Sequence, residues 1–304
     1  MRTTSLALIG PALLAASAGA LAQAPVIASA PIGTIVVAHG GDSLWNSLVL
    51  DAAKSARTGG PVEVAFLMGP GAKAAPFQSL VAKLERQGVS AIAIVPLLVS
   101  SHSGHFDQVR YLAGDSVKLD ESMQHHLHMA GHDRARAAVP IRVAPALDQS
   151  PALADVLTDR ALAMTPNPRE RAVLIVGHGP NSAEDYAAWM AHLRVVADSV
   201  RRRGGFRDVR VELVRDDAPA PVRAEAVLRT RELVELQSLA TGKKVLVVPL
   251  LISRGAISRD KLPSDLQGTP SEYSGEPLLP HPAIVRWIEQ SALTARSVPS
   301  AAAR

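Results

Sequence analysis

The sequence predicts an α/β protein of two tandem modules, each a mostly parallel sheet flanked by helices. Apolar runs that lack polar alternation occur in turn with helical patterns, which is typical of strands buried on both faces and joined by crossover helices. Two of these runs, at 34–40 and 172–179, end in the same His-Gly pair. Two later runs both begin Val-Pro-Leu-Leu, at Val95 and Val248. Repeats in the same order indicate two diverged copies of one unit.

The first copy is predicted to follow its His-Gly strand with a helix over 43–56 and a strand over 62–67. A helix over 76–87 and the Val-Pro-Leu-Leu strand come next. In the second copy the corresponding elements are predicted over 182–203, 209–214 and 221–239, again before the Val-Pro-Leu-Leu strand.

Similar closing phrases, 143–157 and 275–288, end the two copies. The modules are therefore predicted over 30–165 and 168–296, with the boundary in the Pro-containing stretch 165–169 and a disordered tail over 297–304. Spacing locates an insertion in the first copy. Pro96 and Pro145 are 49 positions apart, whereas Pro249 and Pro277 are 28 apart.

The composition bounds the function. Of 304 residues, 47% are hydrophobic and 20% charged, which favours packed cores over global disorder. The net charge of +4 is mild, and no basic stripe is interleaved with aromatics, so nucleic acid is not an expected partner. There is no cysteine, which excludes disulfides and thiolate metal sites. Any metal must be held by histidine, carboxylate or water.

The first 22 residues have the pattern of a cleaved export signal. Arg2 precedes an apolar run too short to span a bilayer, and the run ends at the small residues Ala20 and Ala22. We expect cleavage after Ala22 and a periplasmic mature protein in a Gram-negative cell; the alternative is an uncleaved anchor. No later segment is predicted to cross a membrane.

Histidines follow two strands that should be neighbours in the first sheet. His39 ends the first strand, and His102 and His105 follow the Val-Pro-Leu-Leu strand. Ligands of open parallel sheets lie beyond the carboxyl ends of the strands, so these side chains should meet at one rim. Neutral imidazole favours a divalent transition metal, Co²⁺, Ni²⁺, Fe²⁺ or Zn²⁺, over Mg²⁺ or Ca²⁺.

Nearby carboxylates have two interpretations. Asp42 or Asp107 would complete the metal shell or orient an imidazole from outside it. The simpler role for Asp42, with Ser43, is to cap the following helix.

The insertion carries a separate histidine cluster, His125, His126, His128 and His132. His128 and His132 are four residues apart, a spacing that places them on one face of a helix. They are a candidate second metal site or metal-loading arm, and the alternative is a solvated, disorder-prone insertion. His192 and His281 are interpreted as surface residues.

These motifs resemble the CbiX/SirB family of sirohydrochlorin chelatases over most of the predicted mature chain. The resemblance lies in the strand ending in His-Gly, the Pro-Leu-Leu-Val/Ile-Ser strand with its Gly- and His-bearing loop, and the closing Pro-Leu phrase. The segment 247–266 of the second copy is especially similar to the family's strand-and-loop segment.

The resemblance implies a class II chelatase fold and insertion of Co²⁺ or a similar metal into a metal-free tetrapyrrole. The family's paired metal-binding histidines map onto His39 and His105, with His102 as the rival. The second copy keeps His178, but Ile257 stands where the family has its second histidine.

The substrate of such an enzyme carries many carboxylates. Arg254 and Arg259 are the candidate substrate-binding cations, and ordinary surface charge is the alternative. Two fused copies in one chain would replace the dimer of single-copy relatives, so we expect a monomer with an internal pseudo-dimer.

Two functions remain open at this point. The first is a chelatase in which His39 and His105 are catalytic. The second is an exported protein that binds or traffics a divalent metal on the chelatase scaffold without tetrapyrrole chemistry, because chelatases of this family act where their substrate is made, in the cytoplasm. A purely structural or adaptor protein is disfavoured by histidines gathered at strand ends.

Overall fold

The computed structural model describes residues 30–297. The predicted signal sequence and nearly all of the predicted tail therefore lie outside the described residues. Within the described range, no helix has the length and apolar character needed to span a membrane.

The N-terminal module is built on a four-stranded sheet. Its strands are β1 (Ile32–Ala38), β2 (Val62–Phe66), β3 (Ala91–Leu97) and β4 (Ile141–Val143). Their order across the sheet is β2-β1-β3-β4, and every pair is parallel.

The C-terminal module repeats this arrangement. Its strands are β5 (Ala172–Gly177), β6 (Asp208–Leu213), β7 (Val245–Leu250) and β8 (Ser271–Tyr273). Their order is β6-β5-β7-β8, again all parallel, so the predicted fold class is confirmed.

Helices connect the strands within and between the modules. Those up to the end of the first sheet are α1 (Ser43–Ser55), α2 (Gly69–Ala74), α3 (Phe77–Arg86), α4 (Gly104–Leu112) and α5 (Glu121–Ala130). The remaining helices are α6 (Pro151–Leu162), α7 (Ala183–Gly204), α8 (Ala220–Thr241), α9 (Leu262–Asp265) and α10 (Pro282–Ser297). A π-helical turn over Ile257–Lys261 precedes α9.

The similarity of the two modules extends to the strand register. Pro96 of the first Val-Pro-Leu-Leu run pairs with Val37, two residues before His39. Pro249 of the second run pairs with Val176, two residues before His178. Equivalent strand ends therefore lie at equivalent positions in the two sheets.

Short polar side chains start the helices that follow these strands. Asp42 Oδ1 accepts a hydrogen bond from Trp45 N at 2.8 Å and so caps α1, as the simpler interpretation predicted. Ser103 caps α4 and Ser182 caps α7 by the same type of bond, at 3.2 and 3.0 Å. These caps fix the three points at which the chain passes from the end of a strand into a helix.

The two modules share one hydrophobic core. A single buried cluster contains one face of each sheet, represented by Val95 and Val248, together with residues of α1, α6, α7 and α10. The outer face of each sheet has its own cluster, covered by α3 and α4 in the first module and by α8 in the second. The inner helices therefore belong to both modules at once.

The last helix of each module packs on the other module. Helix α6, which ends the first copy, packs against α7 and β7, whereas α10, which ends the second copy, packs against β3. Arg160 of α6 donates to the carbonyl of Pro277 at 3.1 Å, and Glu289 of α10 accepts from Arg57 N at 2.7 Å. Neither of the predicted ranges, 30–165 and 168–296, therefore forms a closed packing unit.

We expect Ile288→Ala to destabilise the N-terminal sheet although the residue belongs to the second repeat. Ile288 is fully buried on α10, and such truncations cost about 2–5 kcal/mol. Unfolding by denaturant would measure the loss, and hydrogen exchange at the amides of β3 would locate it. Leu293→Ala on the same helix, where the side chain is 53% exposed, is the control. Unchanged hydrogen exchange at the β3 amides would contradict the packing of α10 on the N-terminal sheet.

Candidate functional site

His39 leaves the end of β1 with one ring nitrogen already committed. Its Nδ1 donates to the carbonyl of Gly40 at 2.8 Å, which leaves the Nε2 lone pair free. Gly40 has a φ of +95°, and a Cβ there would lie 2.4 Å from the carbonyl oxygen of Met68. Only glycine permits this close approach of the segment after β2 to the histidine.

His105 lies in the first turn of α4, beyond the end of β3. Its ring centroid is 4.7 Å from that of His39, and the two ring planes are nearly perpendicular, at 85°. Nδ1 of His105 is 2.9 Å from Oε1 of Gln108, an acceptor, so the Nε2 lone pair of His105 is free as well. The structure thus brings together two imidazoles with matching free nitrogens.

The surroundings of His105 favour the neutral form of its ring. Burial and, to a smaller extent, the adjacent His39 lower the pKa of His105 to about 4. His105 is therefore neutral throughout the physiological range, which is the form that binds a metal.

His102 lies elsewhere. Its side chain is exposed, and its ring packs beside His192 of α7 at a centroid distance of 5.3 Å. Its carbonyl accepts a hydrogen bond from Trp189 Nε1 at 2.5 Å, which ties the loop after β3 to the C-terminal module. Of the two rivals, His105 is the one that contacts His39. His192, which was interpreted as a surface residue, is half-buried.

His178 repeats the geometry of His39 but has an additional partner. Its Nδ1 donates to the carbonyl of Gly179 at 2.7 Å, and its Nε2 lies 3.1 Å from Oδ2 of Asp217. Burial lowers the pKa of His178, but the hydrogen bonds to Asp217 and Gly179 outweigh burial and raise the pKa overall. His178 is thus favoured as an imidazolium paired with a carboxylate.

The repeat explains where this carboxylate comes from. Met68 N donates to the carbonyl of His39, and Arg215 N donates to the carbonyl of His178. Asp216 and Asp217 therefore occupy the positions that Gly69 and Pro70 occupy in the first module. Sequence reasoning missed both aspartates, although they follow the β-run 209–214, and the rule that ligands collect at strand ends would have found them.

The two aspartates differ in environment. The side chain of Asp216 is 2% exposed, accepts from Arg223 Nε at 3.0 Å and contacts Lys261. Asp217 is 67% exposed, and its hydrogen bond from His178 lowers its pKa. Each of the three side chains His178, Asp216 and Asp217 offers a ligand atom within 4.8 Å of the others, a spacing compatible with a cation.

Charge effects connect the two halves. The charges of His178 and Asp217 act on the titration of His105, and that of His39 acts on Asp217. The histidine pair of one module and the His178–Asp217 pair of the other therefore lie close enough for their charges to interact, and we call the space between these two sets of strand ends the cleft.

Both candidate substrate-binding arginines have carboxylate partners. Arg254 lies 2.5 Å from Glu276, and Arg259 lies 3.3 Å from Asp42 of the other module. They remain 40% and 46% exposed, so solvent competes for both pairs. Asp107 pairs with Arg110 at 3.7 Å, and burial raises the pKa of its carboxyl.

The second metal site predicted at His128 and His132 is wrong in its geometry. Helix α5 ends at Ala130, and Gly131 turns the chain with a φ of +82°, so the two histidines do not share a helical face. The ring of His132 is buried, accepts from Phe77 N at 3.1 Å and donates to the carbonyl of Phe66 at 2.7 Å. Both ring nitrogens are used, and His132 is structural.

The other insertion histidines and His281 also differ from what the sequence predicted. His125, His126 and His128 are exposed on α5, which is an ordered helix rather than a disordered insertion. His281, interpreted as a surface residue, has only 12% of its side chain exposed and lies 3.2 Å from Asp159 of α6. It joins the two exchanged helices.

The adjacent imidazoles of His39 and His105 could hold a divalent ion through their Nε2 atoms and would leave other coordination positions open. Imidazole suits transition metals, and two protein ligands hold an ion less firmly than a closed four-ligand site does. Such a site is suited to a metal that must be passed on.

Comparison with known proteins finds chelatases of similar fold. Residues 33–163 match the CbiX family model. No curated protein sequence gives a significant match. SirB from Bacillus subtilis with Fe³⁺ is 15% identical, with a TM-score of 0.59 over 88% of this chain and 96% of that one.

Two further chelatase structures are similar. SirB from Bacillus subtilis subspecies spizizenii in complex with cobalt is 14% identical, with a TM-score of 0.58 over 88% of this chain and 96% of that one. CbiX, described as the terminal enzyme of sirohaem biosynthesis in denitrifying bacteria, is 17% identical, with a TM-score of 0.52 over 86% and 99%. Residues 33–163 thus resemble the CbiX family, and the two modules together have the fold of the SirB and CbiX chelatases.

Proposed function

We propose that the protein inserts a divalent transition metal into a metal-free tetrapyrrole of the sirohydrochlorin type. The observation that carries this proposal is the contact between His39 and His105, whose ring centroids are 4.7 Å apart and whose Nε2 atoms are both free. The CbiX match over residues 33–163 and the fold of the SirB structures support the same reaction.

The chemistry of insertion suits two weakly held ligands. The ion must exchange its water and protein ligands for four pyrrole nitrogens, and two N–H protons must leave the macrocycle. A pair of imidazoles with open coordination positions can bind the ion, admit the macrocycle nitrogens and then release it. A closed site would retain the metal.

The pKa of His105 divides the work between the two rings. Because burial lowers this pKa to about 4, His105 is a ligand and a poor proton acceptor near neutral pH. We therefore assign acceptance of a pyrrole proton to His39 as it releases the ion, with water as the final acceptor.

The second module forms the opposite side of the cleft in this proposal. Arg254 and Arg259 bind the carboxylates of the substrate by exchanging their present partners, Glu276 and Asp42. The SirB structures contain Fe³⁺ or cobalt, and we propose Co²⁺ for this chain, with Fe²⁺, Ni²⁺ and Zn²⁺ as competitors. The single chain would act as a monomer, since it already contains both modules.

The alternative function is that of an exported carrier that binds the same metals without tetrapyrrole chemistry. The observation that favours it is the signal-like pattern of residues 1–22, since export would separate the protein from a cytoplasmic substrate. Both functions use His39 and His105, so only a tetrapyrrole assay separates them.

We expect His39→Ala and His105→Ala each to abolish catalysed insertion of Co²⁺ into sirohydrochlorin. Each variant should also bind Co²⁺ at least about 10-fold more weakly, since half of the protein ligand set is removed. Absorbance of the metallated product measures insertion, and calorimetry measures binding.

The matched control is His102→Ala, which removes an exposed histidine from the same loop. It should keep both activities within about threefold of the unsubstituted protein. Tight Co²⁺ binding without accelerated insertion would support the carrier function. Unchanged Co²⁺ binding in the His39→Ala/His105→Ala double variant would contradict both functions.

We expect the ring of His105 to titrate with a pKa of about 4, and that of His178 above its ordinary value of 6.5. Because folding lowers the pKa of His105, its contribution to stability is complete above pH 6.5 and is lost as the pH falls towards 4. NMR titration of the ring protons measures both values. Asp217→Asn should lower the pKa of His178; a pKa of His105 near 6.5 would contradict the buried site.

Export remains a proposal of its own. If residues 1–22 are a signal, the mature protein begins at Gln23 and is recovered from the periplasm of a Gram-negative host. Mass spectrometry of the intact secreted chain checks this. Recovery of a protein that retains residues 1–22 in the cytoplasmic fraction would refute it.

A further inference from the structure

We propose that Gln108 is a positioning residue that holds His105 in the tautomer able to bind metal, and that helix α5 of the insertion fixes Gln108 for this purpose. The inference rests on the proposed function in one respect, namely that His105 is a metal ligand. It assigns a role to the insertion whose histidines do not form the predicted site.

Gln108 connects the ligand to the insertion through two hydrogen bonds. Its side chain belongs to α4 and is buried, with 1% of the residue exposed. Oε1 lies 2.9 Å from Nδ1 of His105, and Nε2 donates to the carbonyl of Met123 at 2.9 Å. Both ends of the amide are thus engaged in the interior.

The orientation of the amide follows from its partner on α5. The carbonyl of Met123 can only accept, so the NH₂ group of Gln108 must face it and the amide oxygen must face His105. That oxygen can only accept, so Nδ1 of His105 carries the proton and Nε2 keeps its lone pair. A backbone atom of the insertion thereby selects the tautomer of a ligand on another helix.

The two histidines of the pair are supported differently. His39 donates Nδ1 to the carbonyl of the next residue, Gly40, so its tautomer depends only on the local chain. Nδ1 of His105 instead donates to a side chain, that of Gln108. Helix α5 also packs against α4 at Gly104, where an added Cβ would lie 3.0 Å from Cε of Met123. The insertion therefore supports one ligand of the site without supplying a ligand itself.

The test is Gln108→Met, which keeps the length of the side chain but removes both hydrogen bonds. In the metal-free protein, ¹⁵N-resolved NMR of the imidazole nitrogens reports which nitrogen of His105 is protonated. We expect the Nδ1–H form to give way to a mixture with the Nε2–H form. Calorimetry with Co²⁺ should show binding weaker by roughly 10- to 100-fold, the range typical of lost outer-shell partners.

The control is Gln237→Met in the C-terminal module. Gln237 is also a buried helical glutamine, 2% exposed, whose Nε2 donates to a backbone carbonyl, that of Val173, at 3.0 Å. Its loss removes a comparable buried amide, so it should lower thermal stability while the tautomer of His105 and the Co²⁺ affinity stay unchanged. A merely structural role for Gln108 predicts this same result for Gln108→Met.

Retention of the Nδ1–H tautomer in Gln108→Met, with Co²⁺ affinity within about threefold, would overturn the proposal. If that variant does not fold, Gln108→Asn serves instead, since an amide one methylene shorter cannot span both partners, and the same shifts are expected. The sirohydrochlorin assay keeps the two proposals apart. If Gln108→Met alters the tautomer but the unsubstituted protein does not accelerate insertion, the chelatase function is contradicted and the positioning role of Gln108 stands. If the unsubstituted protein accelerates insertion but Gln108→Met leaves the tautomer unchanged, only the positioning role is contradicted.

Discussion

The cleft depends on a hydrophobic core that the two modules share. Because α10 of the second repeat covers β3 and α6 of the first repeat covers β7, the inner faces of both sheets are buried against the same helical layer. Displacing one module would expose apolar surface of both, so the exchanged helices resist separation. The strand ends that carry His39 and His178 are thereby held towards one cleft.

The strand ends of the two modules carry different candidate ligand groups. The first module has two adjacent imidazoles and no carboxylate after β2, where Gly69 and Pro70 stand. The second has an imidazole and the carboxylates of Asp216 and Asp217, but Ile257 stands where the resemblance places the second histidine. Soft nitrogen donors thus face harder oxygen donors, and each set alters the electrostatics of the other. The two similar sheets therefore present different ligand groups at their strand ends.

The insertion shows why a residue type alone does not identify a ligand. Its histidines suggested a metal arm, yet His132 is buried between Phe66 and Phe77 with both ring nitrogens bonded to the backbone. The part of the insertion that reaches the site is a carbonyl oxygen, that of Met123. No side-chain pattern marks such a contact, because every residue has a backbone carbonyl.

The sequence alone determined the two similar parallel sheets and the strand ends that carry the candidate ligands, because buried β-branched runs and the repeated His-Gly and Val-Pro-Leu-Leu motifs are local signals. It also limited metal ligands to histidine and carboxylate, since there is no cysteine. Only the tertiary structure decided that His105 rather than His102 meets His39, that the final helices exchange, and that Asp217 pairs with His178. These contacts join residues far apart in the chain, and their formation depends on how whole helices pack, which residue spacing does not encode.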